Sequence, residues 1–165
     1  MSKFIVEIPN EMTTVINGCA ASLGGVGAFS GMIGAGTDLG IIGPVWVGMT
    51  ISLANKAGSD LSEQALQKIA IAVFTGAGSF IAGAKIASAG LGWIAAVFTG
   101  GLSLAASAAA NAALNVAFTR SYGRAVARFF LAKEPISSTE IVVKMLIALL
   151  GADYGIKTSH DHLLC

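Results

Sequence analysis

Charge is what this chain has least of. Lys, Arg, Asp and Glu make up 12% of its 165 residues, about half the usual share of a soluble domain. A globule in water covers itself with such residues, so the composition argues against a lone monomer in buffer. The net charge of +1 gives no global field that selects a polyanion. Basic stretches interleaved with aromatics are missing too, so nucleic acid is not an expected partner. Cysteine is almost absent: Cys19 and Cys165 form no disulfide framework, and Cys165 as the last residue makes no prenylation box of the usual form. The opening "MSKFIVEIPNEM" is too acidic and too interrupted for a signal peptide. Reducing surroundings are therefore the expectation.

Catalytic motifs are missing as well. "GAGTDLG" and "GAGSFIAG" lack the glycine spacing and the lysine of a phosphate-binding loop. No Gly-x-Ser-x-Gly elbow occurs, and no base stands beside a nucleophile in a readable way. The two histidines fall in the tail "HDHLLC", where His160, Asp161, His162 and Cys165 are all metal-ligating types. A terminal tail seldom supplies fixed geometry, so a solvated or docking tail is expected. The reading is no enzyme, no cofactor and no metal.

What the chain has is apolar length and small residues. Hydrophobic residues reach 55%, glycines number 21, and the mean hydropathy is +0.76. Charge punctuates long runs: 26 uncharged residues between Glu11 and Asp38, 17 between Asp38 and Lys56, 16 between Lys68 and Lys85, and 34 between Lys85 and Arg120. As helix, runs of about 16 to 26 residues reach about 24 to 39 Å, against a bilayer core of about 30 Å. The same runs also suit core helices of a soluble oligomer that hides them at subunit contacts. The expected fold is all-α, one domain over 1–165: an N-terminal arm 1–11, a first hairpin 12–57, a second hairpin 60–131, a C-terminal helix 138–150 and a tail 151–165. "KFIVEI" at 3–8 alternates as a strand does, or forms an extended arm.

Finer boundaries follow from caps and breakers. Helices are expected over about 12–35 (loosened by glycine), 40–57, 60–88, 93–131 with a break at Gly100–Gly101, and 138–150. Gly58 suits a left-handed helix end. Asp60 with Glu63, and Ser137 with Glu140, have the spacing of capping boxes. Gly151 closes the last helix. Laid out as two hairpins, Asp38 falls near the first tip, and Lys85 or the "SAGLGW" turn falls at the second. Lys3, Lys56, Lys68 and the arginines then share one side, as the positive-inside rule asks. Asp38 and Lys85 remain as isolated far-side charges placed to pair. Asp38 is read as a turn or cap residue, with an ion or proton site as the sharper alternative.

Small residues indicate how such helices pack. Gly27, Gly31 and Ala35 stand at four-residue steps, followed by Gly36 and Gly40; such a stripe lets another backbone approach closely. The alternative is that these glycines mark a loop. Asn111 and Asn115, one turn apart in an apolar helix, suit cross-helix hydrogen bonds between copies, or equally a core amide bonding a nearby carbonyl. In "NVAFTRSYGRAVARFF", Arg120, Arg124 and Arg128 form a ladder on one side of one helix. Their expected role is to end an apolar helix at a polar boundary and meet lipid phosphates. Pairing with acids of a neighbouring subunit is the rival.

"WVGMTISLANKAGSDLSEQALQKIA" and "AGLGWIAAVFTGGLSLAASAAANAALNVAFTRSYGRAVARFF" together resemble a bacterial family. These are the YcjF-like helical membrane proteins of unknown function that accompany Era- and dynamin-like GTPases. The resemblance covers roughly residues 33–130 and matches at Asn111, Thr119, Gly123 and Arg124. The first apolar arm and the last helix lie outside it, and no GTPase domain is present. It implies membrane-associated helices, with a dynamin- or Era-like GTPase as a partner, and supplies no catalytic residue. The function expected is a non-catalytic, self-associating membrane protein of structural or membrane-remodelling type, its charged loops on the cytoplasmic side. The alternatives are a soluble homo-oligomeric shell that encloses lipid or cargo as a cytoplasmic particle, and a pore lined by small residues.

Overall fold

Among the described residues five helices appear: α1 (Asn10–Ile33), α2 (Leu39–Lys56), α3 (Glu63–Thr99), α4 (Leu102–Leu131) and α5 (Thr139–Asp153). The structure, a computed structural model, describes residues 6–33, 38–99, 102–133 and 138–153; the side chains of 31–33, 79–80, 85–99, 102–104 and 152–153 fall outside the description. The fold is all-α, as the composition led one to expect.

Helix ends are set by local chemistry. Gly58 takes φ +73° after α2. Its N–H donates to Asn55 O, and that of Ser59 donates to Ala54 O, both at 3.0 Å, which closes α2 with a Schellman motif. Lys133 plays the same part after α4 at φ 51°, its N–H reaching Phe130 O at 3.2 Å. The caps fall later than the sequence spacing placed them. α3 is capped by Ser62, whose Oγ accepts from Ala65 N at 3.3 Å; Asp60 stays outside the helix. α5 is capped by Ser138, whose Oγ accepts from Ile141 N at 3.3 Å, while Ser137 lies outside the described residues. Gly151 is buried inside α5, which continues to Asp153.

The largest correction concerns the second hairpin. Lys85 and "SAGLGW" were expected at its tip, yet α3 runs unbroken from Glu63 through Thr99. Scattered glycines each cost a helix only about 1 kcal/mol, and the neighbouring Ala, Ile and Leu carry it through. α3 ends at Thr99 and α4 begins at Leu102; Gly100 and Gly101, where the break was expected, lie outside the described residues. α1 is likewise continuous from Asn10 to Ile33 despite its glycines. Of the arm, residues 6–9 are irregular rather than strand.

α1 lies antiparallel on α4, the closest pairing in the molecule. Gly24 and Gly27 face Ala112, Asn115 and Val116. A Cβ added at Gly24 would stand 2.8 Å from Val116 Cγ2, and one at Gly27 would stand 3.0 Å from the Ala112 Cα. Absence of side chains is thus what lets the two backbones approach. α2 runs parallel to α4 and antiparallel to α3, and α5 packs on α3 and α4. The apolar core joins all five helices, with Met12, Leu23, Trp46, Met49, Leu53, Leu66, Ile69, Val73 and Leu146 each at 1% exposure or less. Each such side chain contributes about 1.5–3 kcal/mol by leaving water.

Candidate functional site

The uncharged half of the bundle holds one buried carboxylate. Asp38 starts α2 with its backbone: its carbonyl accepts from Ile41 N at 2.9 Å and Ile42 N at 3.1 Å. Its side chain makes no cap hydrogen bond to that helix. Instead it turns onto α4 and is 1% exposed. Asn115 Nδ2 donates to Asp38 Oδ2 at 2.6 Å and to Leu23 O at 2.9 Å. Asn111 Nδ2 donates to Gly27 O at 2.8 Å, Ser30 Oγ at 2.9 Å and Asp38 Oδ2 at 3.3 Å. Two amides one turn apart thus fasten the α1 backbone and Asp38, at the start of α2, to α4. Donation to a carboxylate is stronger than a neutral bond, and it offsets part of the cost of burying the acid. Ser107, one turn before Asn111, is also buried, and its Oγ has no partner among the described residues.

Within the chain, both asparagines thus bond groups on or beside its own helices. Of the small-residue stripe, Gly27 sits at the closest approach. Gly31 lies in α1 with its surroundings outside the described side chains, and Ala35 and Gly36 lie outside the described residues. Gly40 is exposed, with nothing of its own chain within 4 Å of an added Cβ. The helix turn at Asp38 rotates it out to the surface. Lys85 lies within α3, and its side chain, and so its pairing with Asp38, lies outside the description. The tail ligands His160, Asp161, His162 and Cys165 lie outside it too.

A second polar stack sits between α2 and α4. Trp46 Nε1 donates to Thr119 Oγ1 at 3.2 Å, and the Trp46 and Tyr122 rings stack at 4.0 Å and 7°. The Thr50 hydroxyl donates to Trp46 O at 2.8 Å, which leaves Tyr122 as donor in the 2.5 Å bond between their oxygens. Burial pushes the Tyr122 phenol well above its usual range, with the Thr50 bond pulling weakly the other way. It is a neutral hydrogen-bonding group here, not a base. Gly123 makes room for Ile16 and Met49, both within about 3 Å of an added Cβ.

The arginine ladder divides. Arg120 is exposed and donates from Nε to Asn17 Oδ1 at 3.1 Å. Arg124 and Arg128 are half-buried, and Arg124 donates to Ser121 Oγ at 3.1 Å. Only Arg120 therefore stands wholly at the surface, because α5 and the α2–α3 connection close over the end of α4.

Among the described side chains other than the buried Asp38, charge gathers at one end of the molecule. Glu11 pairs with Lys56 at 3.3 Å. Asp60, Glu63, Lys68, Lys133 and the arginines belong to the same end, where α1 and α3 begin and α2 and α4 finish. The outward surface beyond it carries Gly18, Ala21, Gly25 and Phe29 on α1; Gly40, Ile41 and Gly48 on α2; Ile71, Thr75 and Gly83 on α3; and Ala105, Ala109, Ala113 and Ala117 on α4. None of the exposed residues described there is charged. One helix among the described residues, α1 over Asn10–Ser30, is by length and composition long and apolar enough to cross a membrane.

No protein-family model matches the chain, and no curated protein or solved structure matches it either.

Proposed function

We propose that this chain is a non-catalytic, membrane-associated structural or membrane-remodelling protein that packs against copies of itself. The observation carrying this reading is the distribution of exposed residues. Outward positions on α1 to α4 beyond the charged end are Gly, Ala, Ser, Thr, Pro, Ile and Phe, none of them charged, with Phe29 at 68% and Ile71 at 49% exposure. A water-facing surface would place charges there, whereas acyl chains or sister copies accept it. Small outward residues also suit close helix contacts in lipid. The charged end would lie at the headgroups, with Lys56, Lys68 and Arg120 on the cytoplasmic side as the positive-inside rule asks. The resemblance to GTPase-associated membrane proteins adds a dynamin- or Era-like GTPase as partner.

Carbonate extraction of membranes, followed by sizing without detergent, tests this reading. Retention in the pellet is the expected result. A large soluble particle would favour the shell, and its lipid content would tell a filled shell from an empty one. A monodisperse monomer in plain buffer without affinity for vesicles would end the proposal.

A further inference from the structure

At the charged end, the connection after α2 and the end of α4 enclose a pocket of about 470 Å³, lined among others by Gly58, Asp60, Phe129, Phe130 and Lys133. That volume lies within the ordinary range for small-ligand sites. We infer that this pocket holds the phosphoethanolamine headgroup of a membrane lipid. The inference rests on the membrane reading above and names the lipid.

The charges select the ligand class. Asp60 and Lys133 both line the pocket, both are exposed, and neither side chain makes an ion pair or hydrogen bond among the described residues. Two helices, α2 and α4, finish here, each turning away through a positive-φ residue, Gly58 and Lys133. Helix C-termini carry partial negative charge and carbonyls that accept hydrogen bonds. With the Asp60 carboxylate they disfavour a simple anion, and the Lys133 ammonium disfavours a simple cation. A zwitterion satisfies both: its phosphate meets Lys133, and its ammonium meets Asp60 and the carbonyl ends.

The wall of the pocket narrows the choice further. A quaternary ammonium is recognised by open aromatic faces. Phe129 and Phe130 are packed edge to face at 5.2 Å and 85° and are buried to 2% and 5% exposure. They offer little ring face. A primary ammonium instead donates three hydrogen bonds, which Asp60 and the helix-end carbonyls accept and which choline cannot make. At the charged end of the bundle, the pocket stands at headgroup level.

The test uses the full chain, transferred from mild detergent to vesicles of matched anionic content containing either phosphatidylethanolamine or phosphatidylcholine, and read by flotation. Flotation about tenfold stronger with phosphatidylethanolamine is expected, the factor that one charge-assisted hydrogen bond supplies. Asp60→Asn and Lys133→Gln should each abolish the preference, while Glu63→Gln, outside the pocket, should keep it. Equal flotation on both vesicles overturns the headgroup assignment and leaves the membrane reading standing. Flotation on neither removes the membrane reading itself. A preference that survives Asp60→Asn belongs to bilayer packing and also overturns the assignment. Should either pocket variant fail to fold, the unaltered chain decides: its unfolding midpoint should rise with soluble phosphoethanolamine and not with phosphocholine or inorganic phosphate. A midpoint unmoved by phosphoethanolamine overturns the proposal.

Discussion

A missing methyl group and a pair of amides do much of the work of joining α1 to α4. An alanine at Gly27 would place its Cβ 2.5 Å from Asn115 Nδ2 and 3.0 Å from the Ala112 backbone. Neither neighbour can give way without loosening the Asp38 contacts, so Gly27→Ala should destabilise by about 1–3 kcal/mol. Gly25, two positions away, has open space around it, and Gly25→Ala should stabilise by up to about 1 kcal/mol through helix propensity. Chemical unfolding of the two variants side by side reads both signs. Equal effects would mean that the close approach of the helices carries no weight. Asn115→Ala should cost about 1–3 kcal/mol, because the buried Asp38 Oδ2 loses its shortest amide donor.

Among the elements, the helix ends make separable predictions. Gly58 at φ +73° has nothing within 4 Å of an added Cβ, so Gly58→Ala should lose about 1–2 kcal/mol from backbone strain alone. Lys133→Gly should gain part of that at the matching end of α4. Thermal unfolding of each checks both. On α5, the Lys144 hydrogen bond and charge hold the Glu140 carboxyl below its usual value. A lowered folded-state value means the pair's small stabilising effect is present above the unfolded value and is lost as pH falls through the folded one. The stability difference between the unaltered chain and Glu140→Gln should therefore shrink under acid. The elements themselves were largely legible, because apolar runs bounded by charge are a strong helical signal. Gly58 was readable as an end since only glycine takes that conformation at no cost. The extent of α3 was harder: "SAGLGW" and "TGG" both look like turns, and only packing along the helix decides which glycines it tolerates. Asn111, Asn115 and Asp38 stood out as polar groups in apolar runs. Their meeting was invisible, because it needs the register of α1 on α4. Ser30 and Thr50 gave no signal beyond their spacing, and Gly24 was hidden among its many neighbours of the same type.

For the whole molecule, the uncharged waist is the feature most open to attack. Ala113 faces outward on α4 and touches none of the core. Ala113→Lys should leave helix content intact by circular dichroism and move the protein from the carbonate pellet to the supernatant, since a lysine at bilayer depth costs about 2.5–3.5 kcal/mol. An unchanged pellet would place that face against protein or water. The Asp38 cluster also bears on the order of events during synthesis. Its amide donors Asn111 and Asn115 follow it by 73 and 77 residues. At ribosomal speeds of about 5–20 residues per second, roughly 4 to 15 seconds pass before both exist. Until then the first hairpin carries a naked acid at its tip, and the nascent chain cannot seal that corner until about half of α4 has emerged.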